Sequence, residues 1–343
     1  MTYICLTKKF LKHKMSIKHC KKFTANICKG TKQMHIENMP NDLLETNKTI
    51  SWLNTICDTF DYPTQAKVDL VNCYEKIKEN EQSFLQFSYT VNEYAKDYKT
   101  DFTKMSEQIK KVADQSGANE YTSYTLFLIC ILQPLKELYA KHNYSKIMWE
   151  EIVLDVKYKL LECHDLYGVY GTFVMPWFDR FFDLTRFCFG RLQMETIELD
   201  GDYIVNGVSL KKGDTVLSVH IPRSGQSLDR QLVEDSYRKA KDFYKDYFPN
   251  GYTVFTCKTY LMHSSTLSLL NENSNIYKFV NDYDIVYNKE YPNYSELWRL
   301  YDCVVENKDV DSLPNNTSLR KKFIEYMKSG KKFGYGHGIY VYR

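Results

Sequence analysis

The first half of the chain, from about residue 40 to 167, carries apolar residues three or four positions apart, as helices packed on one side do. The pattern predicts five helices, over 41–60, 64–80, 81–98, 120–142 and 145–167. Ser145 is placed to cap the last of these helices, and Gly168 is placed to end it. We therefore predict an all-helical N-terminal domain over 37–172.

The second half changes to β patterns after a short aromatic helix predicted over 177–189. A strand over 191–199 is followed by Asn206-Gly207, a strong hairpin signal, between the short apolar runs 203–205 and 208–210. Alternation then predicts a strand over 215–221, with Leu217, Val219 and Ile221 on one face and Val216, Ser218 and His220 on the other. The remaining elements are helices over 228–248, 265–270 and 275–281 and after residue 318, and strands over 253–261, 284–288 and 333–342.

The order strand–helix–strand over 215–261 constrains the sheet. Because such a crossover is right-handed and joins parallel strands, 215–221 and 253–261 should be parallel neighbours in one mixed sheet. The sequence thus predicts an α+β fold, with a helical domain followed by a mixed-sheet domain over 173–343 that is flanked by helices. This order of elements is that of the GNAT acyltransferases.

The last predicted strand carries glycines at every second position, Gly334, Gly336 and Gly338. They share one face, which a backbone or an aromatic ring can approach closely. With 29 tyrosines and 19 phenylalanines in the chain, we expect an aromatic ring.

Charge separates the first 36 residues from the rest, since they hold nine lysines and no acid, although the whole chain of 343 residues has a net charge of +3. We predict a disordered basic tail over 1–36 that the fold does not need, with Met15 and Met34 as alternative starts. Nucleic-acid binding by this tail is a third functional hypothesis, but the tail lacks the interleaved aromatic residues of stacking surfaces. Its histidines and cysteines fit no zinc spacing, so we expect no metal.

The longest apolar run, over 125–132, is far shorter than the roughly 20 residues that cross a bilayer, and the N-terminus lacks a signal-peptide core. We therefore predict a cytoplasmic protein that does not enter a membrane. Its ten cysteines are scattered singly, which indicates free thiols.

Several motifs of the second half occur in an informative order. They are Val219-His-Ile-Pro222 with Ser224-Gly225, Ser274-Asn-Ile276, Leu313-Pro-Asn-Asn-Thr-Ser-Leu319, Lys328-Ser-Gly330 and Gly334-Tyr-Gly-His-Gly338. With these motifs, residues 40–343 resemble a bacterial acyltransferase family in which a helical N-terminal domain precedes a GNAT-like C-terminal domain. The resemblance implies acyl-CoA or acetyl-CoA as donor substrate and a small-molecule acceptor.

A loop at the start of the helix over 228–248 is the candidate pyrophosphate site, because helix N-termini offer unpaired N–H groups to anions. It consists of Arg223, Ser224, Gly225, Gln226 and Ser227. The usual GNAT phosphate loop has a second glycine, which this chain lacks. Clustered arginines are candidates for further phosphate contacts, namely Arg180, Arg186, Arg191, Arg230 and Arg238; a capped helix and ion-paired arginines are the alternative interpretation.

The candidate catalytic residues lie near the ends of the two central strands, where the GNAT arrangement places the thioester. His220 is the first candidate general base, because a histidine pKa near neutrality suits that role, and Glu195 is the second. Asn275 and Tyr277 are candidates for hydrogen bonds to the thioester or its sulfur. The alternatives are a core histidine bonded to backbone, a solvated Glu195 and a plain helix cap at Ser274-Asn275.

Two hypotheses for the body of the protein follow. The first is an acyl-CoA-dependent N-acyltransferase that moves the acyl group to an amine or hydroxyl. The second is a non-catalytic GNAT-like binding module whose helical domain engages a partner or small ligand.

Overall fold

The computed structural model describes residues 46–98, 101–305 and 309–343. The predictions for the basic tail lie outside the described residues and stay predictions.

Six helices form the first half of the described chain. They are α1 (Thr46–Thr59), α2 (Thr64–Glu79), α3 (Glu81–Asp97), α4 (Phe102–Ser116), α5 (Glu120–Lys141) and α6 (Lys146–Tyr167). The Ser145 hydroxyl accepts a hydrogen bond from the N–H of Ile147, and Gly168 ends α6 with a φ of 70°, so both predicted ends of this helix are confirmed. The all-helical character of this half is also confirmed.

One helix, α4, is missing from the sequence prediction of five. Its buried residues Phe102, Met105, Ile109 and Val112 follow helical spacing, and the Asp101 side chain caps its start. The apolar residues of α4 keep a regular helical spacing between charged residues, so the signal for this helix is present in the sequence.

Helix α5 is the centre of the helical half. The apolar run predicted to be too short for a membrane is buried within it, from Leu126 to Leu132. No helix within the described residues is long and apolar enough to cross a membrane.

The second half begins with a 3₁₀ turn, Met175–Phe178, and the short helix α7 (Asp179–Phe182). The predicted aromatic helix over 177–189 is therefore too long. Leu184 adopts a φ of 61°, which ends helical geometry, and the strand β1 (Arg186–Cys188) follows at once. Three residues are too few for alternation to reveal a strand.

Seven more strands and five more helices follow. The strands are β2 (Gln193–Glu198), β3 (Tyr203–Val205), β4 (Val208–Leu210), β5 (Thr215–His220), β6 (Thr253–Thr259), β7 (Asp284–Glu290) and β8 (Gly334–Tyr342). The helices are α8 (Arg230–Phe243), α9 (Ser264–Leu267), α10 (Asn275–Val280), α11 (Trp298–Tyr301) and α12 (Ser318–Lys328). Apart from α11, which the sequence did not predict, and from shifts of a few residues at the ends, these elements lie where the sequence predicts them.

Strands β3 and β4 form the predicted hairpin, and both turn residues, Asn206 and Gly207, have positive φ. The other six strands form one mixed sheet in the order β1-β2-β5-β6-β8-β7. Only β5 and β6 are parallel, as the crossover rule predicts. The predicted α+β fold, helical part first and mixed sheet second, is confirmed.

The two faces of the sheet have different neighbours. Leu217, Val219 and Phe255 face a large apolar cluster that also contains the buried side chains of the six helices. On the other face, Val216 and Val254 pack in a smaller cluster with residues of the β3–β4 hairpin. One core thus runs through both halves, and the division at 172/173 into two domains stays a prediction.

The glycine face of β8 is approached by backbone at Gly336 and by side chains at Gly338, where the expected aromatic neighbour is Tyr283. A Cβ atom on Gly336 would lie 2.2 Å from the carbonyl oxygen of Met262. A Cβ atom on Gly338 would lie 2.7 Å from the Cβ of Tyr283 and 2.8 Å from the Met262 sulfur. Glycine is needed there because Met262 and Tyr283 press against the strand.

Candidate functional site

The central parallel strands separate near their C-terminal ends. β5 and β6 are paired only through Leu217–Phe255 and Ser218–Thr256. Beyond these pairs, β5 continues along β2 and β6 continues along β8. The result is a gap between the strand ends, as the GNAT-like order implies.

His220, the last residue of β5, lies at this gap with a quarter of its side chain exposed. Its Nε2 atom is 2.7 Å from Oε1 of Glu195 on β2. The structure thus brings together the two residues that the sequence proposed as alternative bases. The core-histidine alternative requires hydrogen bonds from His220 to backbone groups. His220 is instead hydrogen-bonded to a carboxylate.

Glu195 is almost fully buried and holds two arginines as well as His220. Arg186 Nη2 donates to Oε1 at 2.9 Å, and Arg180 Nη1 lies 2.8 Å from Oε2. Burial by itself raises the pKa of Glu195, but the His220 hydrogen bond and the Arg186 charge outweigh it and lower the pKa to about 2. Glu195 is therefore ionised at neutral pH, and it is not the solvated side chain of the alternative reading.

The surroundings of His220 favour the neutral form of its ring. Burial and the nearby Arg186 guanidinium lower the pKa of His220, and Glu195 only partly offsets them. Because an ionised carboxylate can only accept hydrogen bonds, Nε2 of the neutral ring carries the proton. Nδ1 is then the nitrogen that can take up a proton.

Trp177 and Arg186 complete the surroundings of His220. The Trp177 ring centroid lies 5.0 Å from that of His220, with the rings at 88°. The Arg186 guanidinium lies 3.9 Å from the Trp177 ring centroid, and its Nη1 donates to the Trp177 carbonyl at 2.9 Å. No sequence motif marks Trp177 as functional, and Arg186 was a candidate for a phosphate contact. Only the pairing of β1 with β2, which sets Arg186 opposite Glu195, reveals this site.

The loop between β5 and α8, predicted to bind pyrophosphate, is tied at both ends by the buried Arg191. Its Nη1 donates to the Pro222 carbonyl and its Nε to the Ser227 carbonyl, each at 3.1 Å. Burial lowers the pKa of Arg191 to about 10, which leaves it charged at neutral pH. Within the loop, the Gln226 N–H donates to the Ser224 hydroxyl at 3.3 Å.

One sequence expectation about this loop is corrected. Helix α8 begins at Arg230, not at 228, and the Asp229 side chain caps it by accepting from the N–H of Gln231. Gly225 has a φ of +74°, which disfavours substitution by a β-branched residue. Such a substitution would strain the backbone even though no atom would meet its Cβ.

Arg223, the charged residue of the loop, is held by two carboxylates. Its Nη2 lies 2.8 Å from Oδ2 of Asp165 on α6 and 2.9 Å from Oδ1 of Asp302. The other clustered arginines also have protein partners: Arg180 and Arg186 hold Glu195, Arg191 holds backbone, Arg230 holds Asp282, and Arg238 holds Asp235. The ion-paired alternative describes these arginines with the exception of Arg191, which is bonded to backbone carbonyls.

Asn275 and Tyr277 lie at the start of α10. Asn275 Nδ2 donates to the Ser227 hydroxyl of the loop at 2.5 Å, and the Tyr277 N–H donates to the Ser274 hydroxyl that caps the helix. The structure therefore brings Asn275 to the loop. Within the described chain, neither residue is hydrogen-bonded to His220.

Residues 186–340 match the family described as GNAT-like C-terminal domain. This segment is similar to that family of domains. It contains Glu195, His220 and the loop over 223–227, and the match confirms the sequence-based resemblance.

The GNAT-like domain and the helical half together have structural relatives. An acyltransferase in complex with decanoyl-CoA superposes with a TM-score of 0.65 at 16% identity, over 85% of this chain and 88% of that one. An acyltransferase in complex with CoA and 10C-teicoplanin has a TM-score of 0.66 at 14% identity, with the same coverage. At these identities the likeness shows a shared fold. Among curated proteins, none matches the sequence.

Proposed function

We propose that the protein transfers an acyl group from a CoA thioester to an amine or hydroxyl of a small-molecule acceptor. The observation that carries the proposal is the His220–Glu195 pair at the gap between β5 and β6 of a GNAT-like domain. The acyltransferase neighbours with bound decanoyl-CoA and CoA support the donor class. The proposal keeps the cytoplasmic location predicted from the sequence.

In this reaction His220 acts as the general base. Nδ1 takes a proton from the acceptor as its nitrogen or oxygen attacks the thioester carbonyl, and Glu195 stabilises the imidazolium that forms. When the tetrahedral intermediate collapses, the C–S bond breaks and the imidazolium returns the proton to the sulfur. The products are the acylated acceptor and free CoA, and His220 is neutral again.

Glu195 has a different role from the second base that the sequence suggested. Its low pKa and its buried position between Arg186 and His220 make it a poor proton acceptor at neutral pH. We assign it to orienting His220 and setting which ring nitrogen carries the proton.

The loop over 223–227 is the proposed pyrophosphate site. Arg191 holds its ends at Pro222 and Ser227, and Asn275 holds Ser227 from the side. Gly225 lets a phosphate approach the backbone, since the space beside its Cα is open. Arg223 would have to exchange Asp165 or Asp302 for a phosphate oxygen.

The requirement for that exchange favours a second function, a non-catalytic GNAT-like binding module. An arginine that is already held by two carboxylates gives up part of its interaction energy when it turns to phosphate. In such a module CoA binds weakly or not at all, and His220 has no turnover to support.

The experiment that tests the proposal starts with thermal denaturation in the presence of CoA, acetyl-CoA and decanoyl-CoA. A ligand present at 100 times its Kd stabilises the native state by about 2.7 kcal/mol. The protein is then incubated with the stabilising acyl-CoA and a panel of primary amines and alcohols, and acylated products are detected by mass spectrometry. Stabilisation without any product supports the binding module. The absence of both stabilisation and product refutes acyl transfer.

A further inference from the structure

A buried carboxylate of the helical half reaches the candidate site. Asp155 lies on α6 and is only 1% exposed, although an aspartate is rarely buried without a strong reason. Its Oδ2 accepts a hydrogen bond from Nε1 of Trp177 at 3.2 Å. Burial raises the pKa of Asp155, and Lys159 one helical turn away opposes this effect.

Trp177 links Asp155 to two of the three partners of Glu195, Arg186 and His220. The face of the indole lies under the Arg186 guanidinium, and the ring packs nearly perpendicular to His220. The Trp177 carbonyl also accepts from Arg186. The indole therefore limits the positions available to Arg186 and to His220, and Asp155 fixes the rotation of the indole.

Gln193 is a second neighbour that connects Asp155 to His220. Its side chain lies close enough to the Asp155 carboxyl group to lower the pKa of that group, and Gln193 is the cross-strand partner of His220. Two neighbours of His220, Trp177 and Gln193, thus lie beside this one carboxyl group of α6.

We infer that Asp155 is a positioning residue for the proposed acyl transfer, acting through Trp177 and Gln193 on His220, so that the helical half is part of the catalytic machinery. This inference rests on the proposed function, but its first test does not require turnover.

That first test is a pH titration of His220 that is monitored by NMR with labelled histidine. The signal of His220 is assigned by its absence in His220→Asn. The charged groups that face His220 and Trp177 are Glu195 from β2, Arg186 from β1, Arg180 from α7, and Asp155 and Lys159 from α6. Loosening the indole admits water and frees Arg186, and both changes raise the pKa of His220.

The decisive variant is Asp155→Leu, which has a similar size and no hydrogen-bond acceptor. Loss of the Asp155 charge alone would lower the pKa of His220, so a rise in this variant reports repositioning. We expect the pKa of His220 to rise in Asp155→Leu. We expect the same rise in Trp177→Phe, which keeps an aromatic ring but removes the indole N–H that donates to Asp155. An unchanged or lowered pKa of His220 in Asp155→Leu overturns the inference.

A matched control comes from the same helix. Glu162 is 4% exposed and pairs with Lys159 at 2.8 Å, so Glu162→Gln removes an equally buried acid of α6. It should leave the titration of His220 unchanged. If it shifts the titration as Asp155→Leu does, the effect comes from the helix in general and the inference fails.

Turnover supplies the second test. We expect about a tenfold lower kcat for Asp155→Leu with KM for acyl-CoA within twofold, and rescue by Asp155→Asn, whose amide oxygen still accepts from the indole. The losses of Asp155→Leu and Trp177→Phe should not add, because either one breaks the same bond. Additive losses contradict the inference, whereas absence of turnover in the unaltered protein refutes only the proposed function.

Discussion

His220 and Glu195 lie on neighbouring antiparallel strands, but they are not cross-strand partners. Glu195 faces Ser218 in the register, and His220 faces Gln193, so the 2.7 Å contact between them is diagonal. The contact depends on the register of β2 against β5, because a shift by one residue would turn one partner to the opposite face of the sheet.

His220→Ala should lower kcat by about 10²–10⁴-fold, the usual contribution of a general base, and should leave the Kd for CoA unchanged. Steady-state kinetics and calorimetry measure the two quantities. The exposed His142 offers a control, since His142→Gln should leave both unchanged. A His220→Ala variant with normal kcat would exclude His220 as the base.

The pH dependence of kcat/KM should follow the neutral form of His220. Because burial and Arg186 lower its pKa, activity should rise with pH below the ordinary histidine value of about 6.5 and be level above it. A pH series between 4.5 and 8 on the purified protein measures this. An activity that falls as pH rises through this range contradicts the base role.

Glu195→Gln should destabilise the fold at neutral pH and less so in acid. The folded-state pKa of about 2 lies below the unfolded value, so the carboxylate stabilises the fold above pH 4.5 and loses this contribution as pH falls toward 2. The lowered pKa corresponds to roughly 3 kcal/mol at pH 7. Urea denaturation of both proteins at pH 7 and pH 3.5 gives the difference, and an equal difference at both pH values disproves the assignment.

Gly225→Ala should cost about 1 kcal/mol of stability because of the positive φ, and should weaken CoA binding if the loop backbone contacts pyrophosphate. Calorimetric titration with CoA under conditions where the variant is folded separates the two effects. Gly213→Ala, at a φ of +92° in a turn near β4, is a matched control with similar strain. Equal CoA affinity in the Gly225 and Gly213 variants would remove the loop from the binding site.

Arg223→Gln distinguishes a phosphate ligand from a structural clamp. If Arg223 binds a phosphate, its replacement should weaken CoA binding by about tenfold, the effect of losing one charge-assisted contact. As a clamp on Asp165 and Asp302, its loss lowers stability and leaves CoA affinity intact. Arg238→Gln, which removes exposed pairs on α8, is the control for lost charge.

Local patterns of the sequence determined much of the fold. The Asn206-Gly207 turn, the ends of α6 at Ser145 and Gly168, and the polar side of β5 follow from residues within a few positions of one another. The parallel pairing of β5 and β6 follows from the handedness of a crossover, which the order of elements reveals. Helix α4 was also within reach, since its apolar spacing is regular.

The tertiary structure alone decided the partners of the functional side chains. Glu195 meets Arg186 and His220 because three strands align in one register, and Arg223 meets Asp165 and Asp302, which are 58 and 79 positions away in the sequence. Asp155 meets Trp177 only when α6 packs against the start of the GNAT-like domain. Periodicity shows which face a side chain occupies, but long-range packing selects the opposite charge that it meets there.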